Sequence, residues 1–196
     1  MDNVTQHKVF PTLINEFDYD MDEHERKYII NELNSMEKEE CDAITQTTDE
    51  ISRLLPKFTR HIYDVTKSIC DEQQYIYDRI EITGMWANKL KVGESHPPHT
   101  HSNNIFSGVY YLEGGSPIQF FDPRPQASVF APNLKYTTLD NSGMVQFSSV
   151  TGFGLIFPSW LQHWVPITDK DRISISWNVL LRGQYGQPNT LQNSHI

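Results

Sequence analysis

Three of the eight histidines, His99, His101 and His163, have a type and spacing that could set their imidazoles on one metal ion. In His99-Thr100-His101 the two rings are one residue apart, and on an extended strand positions i and i+2 point to the same face. His163 lies far along the chain, behind Phe157-Pro158-Ser159-Trp160-Leu161-Gln162, so the fold must bring two distant strands together to complete the set. Imidazole is a common transition-metal ligand, and three facial protein ligands leave open positions for chemistry. The H-x-H pair by itself is a weak signal; the flanks and His163 strengthen it.

Those flanks are patterned. Gly93 opens a G-x5-H-x-H segment, and Gly152 opens G-x5-P-x4-H through Pro158 to His163. This order resembles the two metal motifs of cupins. The cupin pattern goes on to a glutamate shortly past the second histidine, where this chain has Ile105 and Phe106, so an ordinary four-ligand cupin is disfavoured.

Beyond His163, the segment Arg172-Ile173-Ser174-Ile175-Ser176-Trp177-Asn178 alternates cleanly. Arg172, Ser174, Ser176 and Asn178 share one strand face; Ile173, Ile175 and Trp177 share the other. An arginine on an inward face needs an anionic partner, because an unpaired buried charge is very costly. A dicarboxylic co-substrate would provide one, its carboxylate meeting the guanidinium in a two-pronged hydrogen bond.

Taken together, the segments resemble the 2-oxoglutarate/Fe(II)-dependent oxygenase superfamily in its prolyl-hydroxylase-like branch, most nearly an oxygenase family of marine bacteria and their phages. The motifs that carry the resemblance are Trp86-Ala87-Asn88, His99-Thr100-His101, Ser107-Gly108-Val109-Tyr110-Tyr111-Leu112, Asp122-Pro123-Arg124, Phe157 to His163, and Arg172 to Asn178. They stand in the family's order. The resemblance implies a mainly β chain with N-terminal helices: a double-stranded β-helix (jelly-roll, cupin-like) core buttressed by α-helices.

It also implies a site. His99 and His163 would be metal ligands, with Fe(II) as the metal and 2-oxoglutarate as co-substrate. Arg172 would bind the distal carboxylate with Ser174 in support. Tyr111 would hydrogen-bond the same carboxylate, and Asn88 and Asn178 are further co-substrate candidates. Relatives usually carry H-x-D or H-x-E, whereas His101 stands in the place of the acid. A third imidazole is a sound ligand but removes one negative charge beside the iron; Asn103 is the alternative if the pair is His101 and its i+2 neighbour. The implied reaction is oxidative decarboxylation to succinate and CO2, coupled to hydroxylation of a small-molecule or peptidyl substrate with O2. Phe106, Tyr110, Phe120, Phe121, Trp160 and Trp164 would wall a dry cavity around it, Trp160 and Trp164 by packing around the metal strand.

The elements that must position these residues divide the chain. Residues 1–76 read as a helical region, 77–183 as the β core, and 184–196 as a tail in loop conformation. Met21 to Lys38 has amphipathic spacing, with an exposed acidic connector from Glu37 to Asp49. Thr47 and Glu50 form a capping-box pattern that predicts a helix running to about Glu72, with Pro56 near its start. This first half would serve either as buttress or as a homodimer surface. From Tyr77 the chain turns to short strands, predicted over Ile80–Leu90, Ile105–Leu112, Ile118–Phe121, Met144–Phe147, Gly154–Phe157 and Ile173–Leu181. His96 is expected in a Ser-His-Pro-Pro turn at the mouth, binding nothing, and His7, His24, His61 and His195 at the surface.

A formal net charge of −9 argues against a general phosphate-backbone binder, which needs a basic surface. No apolar run reaches the ~20 residues that span a bilayer. With no signal-peptide pattern, Cys41 and Cys70 read as free thiols of a cytoplasmic protein. Two other functions fit the histidines: a three-histidine cupin-type dioxygenase without 2-oxoglutarate, and a non-catalytic metal-binding module. Arg172 and Ser174 weigh against the first; a succinate-release assay would separate the second from an enzyme.

Overall fold

The computed structural model describes residues 4–35, 45–48 and 50–196. Along the chain run β1 (Asn15–Asp18), α1 (Glu23–Ser35), β2 (Thr45–Gln46), α2 (Pro56–Glu72), β3 (Arg79–Leu90), β4 (His96–His99) and β5 (Phe106–Glu113). There follow β6 (Ile118–Phe121), β7 (Met144–Phe147), β8 (Phe153–Pro158), β9 (His163–Val165), β10 (Arg172–Arg182), β11 (Gln184–Tyr185) and β12 (Ser194–His195). A six-stranded sheet has the order β1-β8-β5-β10-β3-β2, and a four-stranded sheet the order β4-β9-β6-β7. The ladders between these strands are antiparallel. This is the expected jelly-roll core, in two separate sheets rather than a closed barrel.

Alternation along β10 and β5 gives the large sheet two different faces. Ile173, Ile175, Trp177 and Val179 of β10, with Phe106, Tyr110 and Leu112 of β5, join Phe58, Ile62 and Ile69 of α2 and Ile29 and Leu33 of α1 in one core. The helices therefore buttress this sheet. Trp177 is wholly buried and meets Phe58 edge-on at 5.7 Å. Fully burying side chains of this size is worth roughly 1.5–3 kcal/mol each. The opposite face contributes Val109, Tyr111, Leu155 and Phe157 to a second core shared with Ile118 and Phe120 of the small sheet. The functional strip of β10 faces this second side.

Gly108 of β5 pairs with Trp177 across the ladder, and a Cβ there would fall inside the indole. Gly108→Ala is accordingly expected to destabilise the fold by about 1–3 kcal/mol, the cost of overpacking a filled core. Urea unfolding reads this directly; unchanged stability would show that Trp177 has room to yield.

The first half departs from expectation at three places. The first helix starts at Glu23, and the part predicted beyond Ser35 lies outside the described residues, as do Cys41 and most of the Glu37–Asp49 connector. No helix begins at Thr47. Its Oγ1 accepts from the Ala87 N–H at 2.9 Å and donates to the Thr48 carbonyl, tying the chain to β3, and a 3-10 turn at Ile51–Arg53 follows. α2 instead begins on Pro56, where the missing N–H costs nothing. The buried Glu25 carboxylate accepts from the Lys57 N–H at 3.2 Å, so an acid from α1 does the work of a cap.

The tail after Arg182 is not loop alone. β11 and β12 pair, and Gly183 and Ile196 exchange backbone hydrogen bonds. Nor is His61 a surface residue: its ring stacks on Tyr19 at 4.5 Å and its Nε2 is buried. Cys70 is a buried free thiol whose pKa burial pushes up to about 11. No helix among the described residues is long and apolar enough to cross a membrane.

Candidate metal centre

His99 closes β4 and His163 opens β9, and the two stand directly opposite each other in that ladder, with ring centroids 4.3 Å apart. His101 arrives differently. β4 stops at His99, so the expected strand geometry for H-x-H does not hold; the His101 N–H instead donates to the Ser159 carbonyl at 2.9 Å, in the β8–β9 connection. The ring lands 5.1 Å from His99 and 5.3 Å from His163. One ligand nitrogen from each of the three lies within 4.8 Å of the others. Asn103 is exposed, has a positive φ of 60°, and is not part of the group.

The three imidazoles are prepared unequally. His99 Nδ1 lies 2.8 Å from the Pro97 carbonyl and His163 Nδ1 lies 2.9 Å from the Leu161 carbonyl. A carbonyl can only accept, so each Nδ1 carries the proton and each Nε2 keeps its lone pair for a metal. His101 has no such bond; its ring rests beside Trp86 at 5.9 Å. Burial pushes the His163 pKa down to about 3, with the Leu161 bond opposing, and that of His101 down to about 4. Burial also lowers His99. All three are thus neutral near pH 7, the form that coordinates. Phe120 and Phe157 pack on His163 at 5.8 and 4.8 Å and supply its dry surroundings.

The glycines that open the two motifs both have φ of 87°. Gly93 and Gly152 turn the chain through a conformation that side chains rarely adopt, which is why the pattern begins on glycine.

From the metal centre a cavity runs along the inner face of β10, past Ser176 and Ser174, to Arg172. Arg172 is 3% exposed. Its Nη1 donates to Ser174 Oγ at 3.1 Å, its Cζ lies 5.0 Å from the Tyr111 ring centre, and its Nε is buried without a partner. Burial lowers the pKa of the guanidinium, the Tyr111 hydroxyl opposing. Among the described residues no carboxylate pairs with it. The Tyr111 hydroxyl is buried on the Arg172 side, and Asn88 Oδ1 is buried and unpartnered, while Asn88 Nδ2 donates to Ser176 Oγ at 3.1 Å. A cavity lined by a buried guanidinium whose Nε has no partner is suited to an anionic guest.

Of the expected site residues, His99, His101, His163, Arg172, Ser174 and Asn88 all line this cavity, and Tyr111 lies against the guanidinium. Asn178 does not line it. Its Oδ1 accepts from Ser107 Oγ at 2.7 Å, and Ser107 Oγ lies 2.9 Å from Ser159 Oγ. Asn178 thereby braces the β8–β9 connection on which His101 hangs. The Asp122-Pro123-Arg124 turn holds an internal ion pair of 2.9 Å. The aromatic wall also differs. Phe106 and Tyr110 belong to the helix-side core, Trp160 is 57% exposed and so not a packing residue, and Trp86 and Phe157 take their place in the lining.

His96 was the residue sequence reasoning misjudged. It opens β4 rather than sitting in a turn, and it lines the cavity. On a regular strand His96 and His99 would face opposite ways. The ladder register slips between them, across Pro97 and Pro98, which have no N–H to hold it. Both rings then stack at 4.2 Å. The Pro-Pro dipeptide was the available signal.

The class defined by fold and site agrees with comparison to known proteins. A family model described as "Putative 2OG-Fe(II) oxygenase" matches residues 84–178 of the chain. Solved structures share the fold at low identity. A Pseudomonas putida prolyl-4-hydroxylase has a TM-score of 0.59 at 12% identity, covering 88% of this chain and 94% of that one. HygX from Streptomyces hygroscopicus, with nickel and 2-oxoglutarate bound, has a TM-score of 0.57 at 13%, covering 87% and 83%. The viral collagen prolyl hydroxylase from Paramecium Bursaria Chlorella virus-1, in its 2OG complex, has a TM-score of 0.53 at 13%, covering 85% and 94%. No curated protein matches the sequence.

Proposed function

We propose that the protein is an Fe(II)- and 2-oxoglutarate-dependent dioxygenase that hydroxylates a small-molecule or peptidyl substrate. The observation that carries this reading is Arg172: a buried guanidinium with no carboxylate partner among the described residues, at the far end of a cavity that begins at three convergent imidazoles. His99, His101 and His163 would hold the metal. Bound Fe(II) would supply the oxygen activation that couples decarboxylation of 2-oxoglutarate to succinate and CO2 with substrate oxidation.

The chain's own residues account for the rest. Arg172 binds the distal carboxylate in a charge-assisted, two-pronged contact and Ser174 keeps the guanidinium aimed. Tyr111 adds a hydroxyl to the same carboxylate and, through its ring, a face for the cation. Asn88, fixed by Ser176, offers its free oxygen to the cavity. Asn178 acts at one remove, through Ser107 and Ser159. Leu90, Ile118, Phe157 and Val165 keep bulk water from the polar guest. A cytoplasmic setting is part of the same reading, supported by the buried free thiol of Cys70.

The reading is tested by succinate formation. Protein supplied with Fe(II), ascorbate, O2 and 2-oxoglutarate is expected to release succinate slowly without a prime substrate, and to stop when the iron is chelated. A folded, iron-loaded protein that turns over no 2-oxoglutarate, alone or across a panel of free amino acids and proline-containing peptides, would contradict it.

A further inference from the structure

His96 is a fourth imidazole in the cavity, outside the three whose nitrogens converge. In the β4–β9 ladder His99 pairs with His163, while His96 pairs with Val165. Two residues along a strand advance about 6.6 Å, so His96 sits deeper than the metal ligands, on the side of Arg172. It lines the same cavity as His99 and Arg172. The ring is held flat against His99 at 4.2 Å and makes no hydrogen bond among the described residues. A neutral imidazole carries one N–H donor and one acceptor. Here neither has a hydrogen-bond partner among the described residues.

We propose that His96 is a co-substrate-binding residue, whose ring N–H donates to an oxygen of the bound 2-oxo acid between the metal centre and Arg172. The stack on His99 fixes the plane of the ring, so the donor is aimed before the guest arrives. Arg172 then recognises the distal carboxylate, and His96 recognises the polar stretch nearer the metal. A simple dicarboxylate with no polar group in that stretch would satisfy the first and not the second. This inference rests on the functional reading above.

The test separates stacking from hydrogen bonding. Co(II)-loaded protein under argon is titrated with 2-oxoglutarate by calorimetry, alongside His96→Phe, which keeps an aromatic ring, and His96→Gln, which keeps an N–H donor. Co(II) binding is read separately from its visible absorption. A hydrogen bond to a charged group is worth about 1.5–3 kcal/mol, roughly a 10- to 100-fold change. His96→Phe is therefore expected to weaken 2-oxoglutarate binding by that factor with Co(II) affinity unchanged, while His96→Gln stays within about threefold of wild type. Equal binding by wild type and His96→Phe overturns the proposal and leaves the parent reading standing. Loss of Co(II) in both variants would make His96 a support for His99 and also overturns it. A wild type that takes up Co(II) but no 2-oxoglutarate overturns both.

Discussion

Arg172→Leu is expected to weaken 2-oxoglutarate binding by about 100-fold or more while leaving metal binding intact and thermal stability equal or higher. The two signs come from the same fact. Arg172 is buried and Nε is orphaned, so before the guest arrives the guanidinium bears the cost of desolvation with Ser174 and Tyr111 in partial compensation. Leucine removes that cost. Once a carboxylate is bound, the cation is its main partner, and removing one side of a buried charged pair typically costs 2–5 kcal/mol or more. Calorimetry and a thermal melt on the same two proteins read both effects. A structural arginine would show the reverse: a lower melting temperature and unchanged ligand affinity. The melting temperature of wild type should also rise with 2-oxoglutarate, since a ligand that binds only the folded state stabilises it, and this rise should be lost in Arg172→Leu.

His163→Ala carries the second large effect. His163 is 5% exposed, its Nδ1 is fixed by Leu161, and Phe120 and Phe157 fill the space around it. Deleting a hydrogen-bond partner behind a metal ligand commonly costs 10- to 100-fold in affinity, so deleting the ligand itself is expected to exceed about 100-fold. His99→Ala should match it, because His99 is oriented in the same way by Pro97. His101→Ala should cost less, because no backbone carbonyl orders its ring beforehand. Metal titration followed by equilibrium dialysis gives the ranking. If His101→Ala proves the most damaging of the three, the inequality drawn from the Nδ1 bonds is wrong.

The large strands and the polar strip of β10 were legible because alternation along a strand is a direct consequence of the pleat. Arg172, Ser174 and Ser176 could be placed on one face from the sequence alone, and the structure puts them in one cavity. β4 and β9 were not legible. They span four and three residues, and β4 is His-Pro-Pro-His, a composition that reads as a turn. Tertiary ladders make them strands, between β4 and β9 with His99 facing His163, and between β9 and β6. The same limit hid His96, because an i to i+3 pair shares a face only if the register slips. α2 was misplaced at its start because Thr47 satisfies a backbone N–H of β3, a long-range contact with no local signature. Asn178 was placed on the polar face, but its hydrogen bond to Ser107 is set by cross-strand pairing and has no local signature.

The central claim is that three histidines and Arg172 together hold Fe(II) and 2-oxoglutarate in one cavity. It is tested most directly by adding Fe(II) and then 2-oxoglutarate to the protein under strict anaerobiosis and recording the visible spectrum. A weak charge-transfer band should grow to saturation with 2-oxoglutarate, vanish in His163→Ala, and in Arg172→Leu require about 100-fold more 2-oxoglutarate. A folded, iron-loaded protein that shows no band at any 2-oxoglutarate concentration, or a band with the same midpoint in Arg172→Leu, would contradict it.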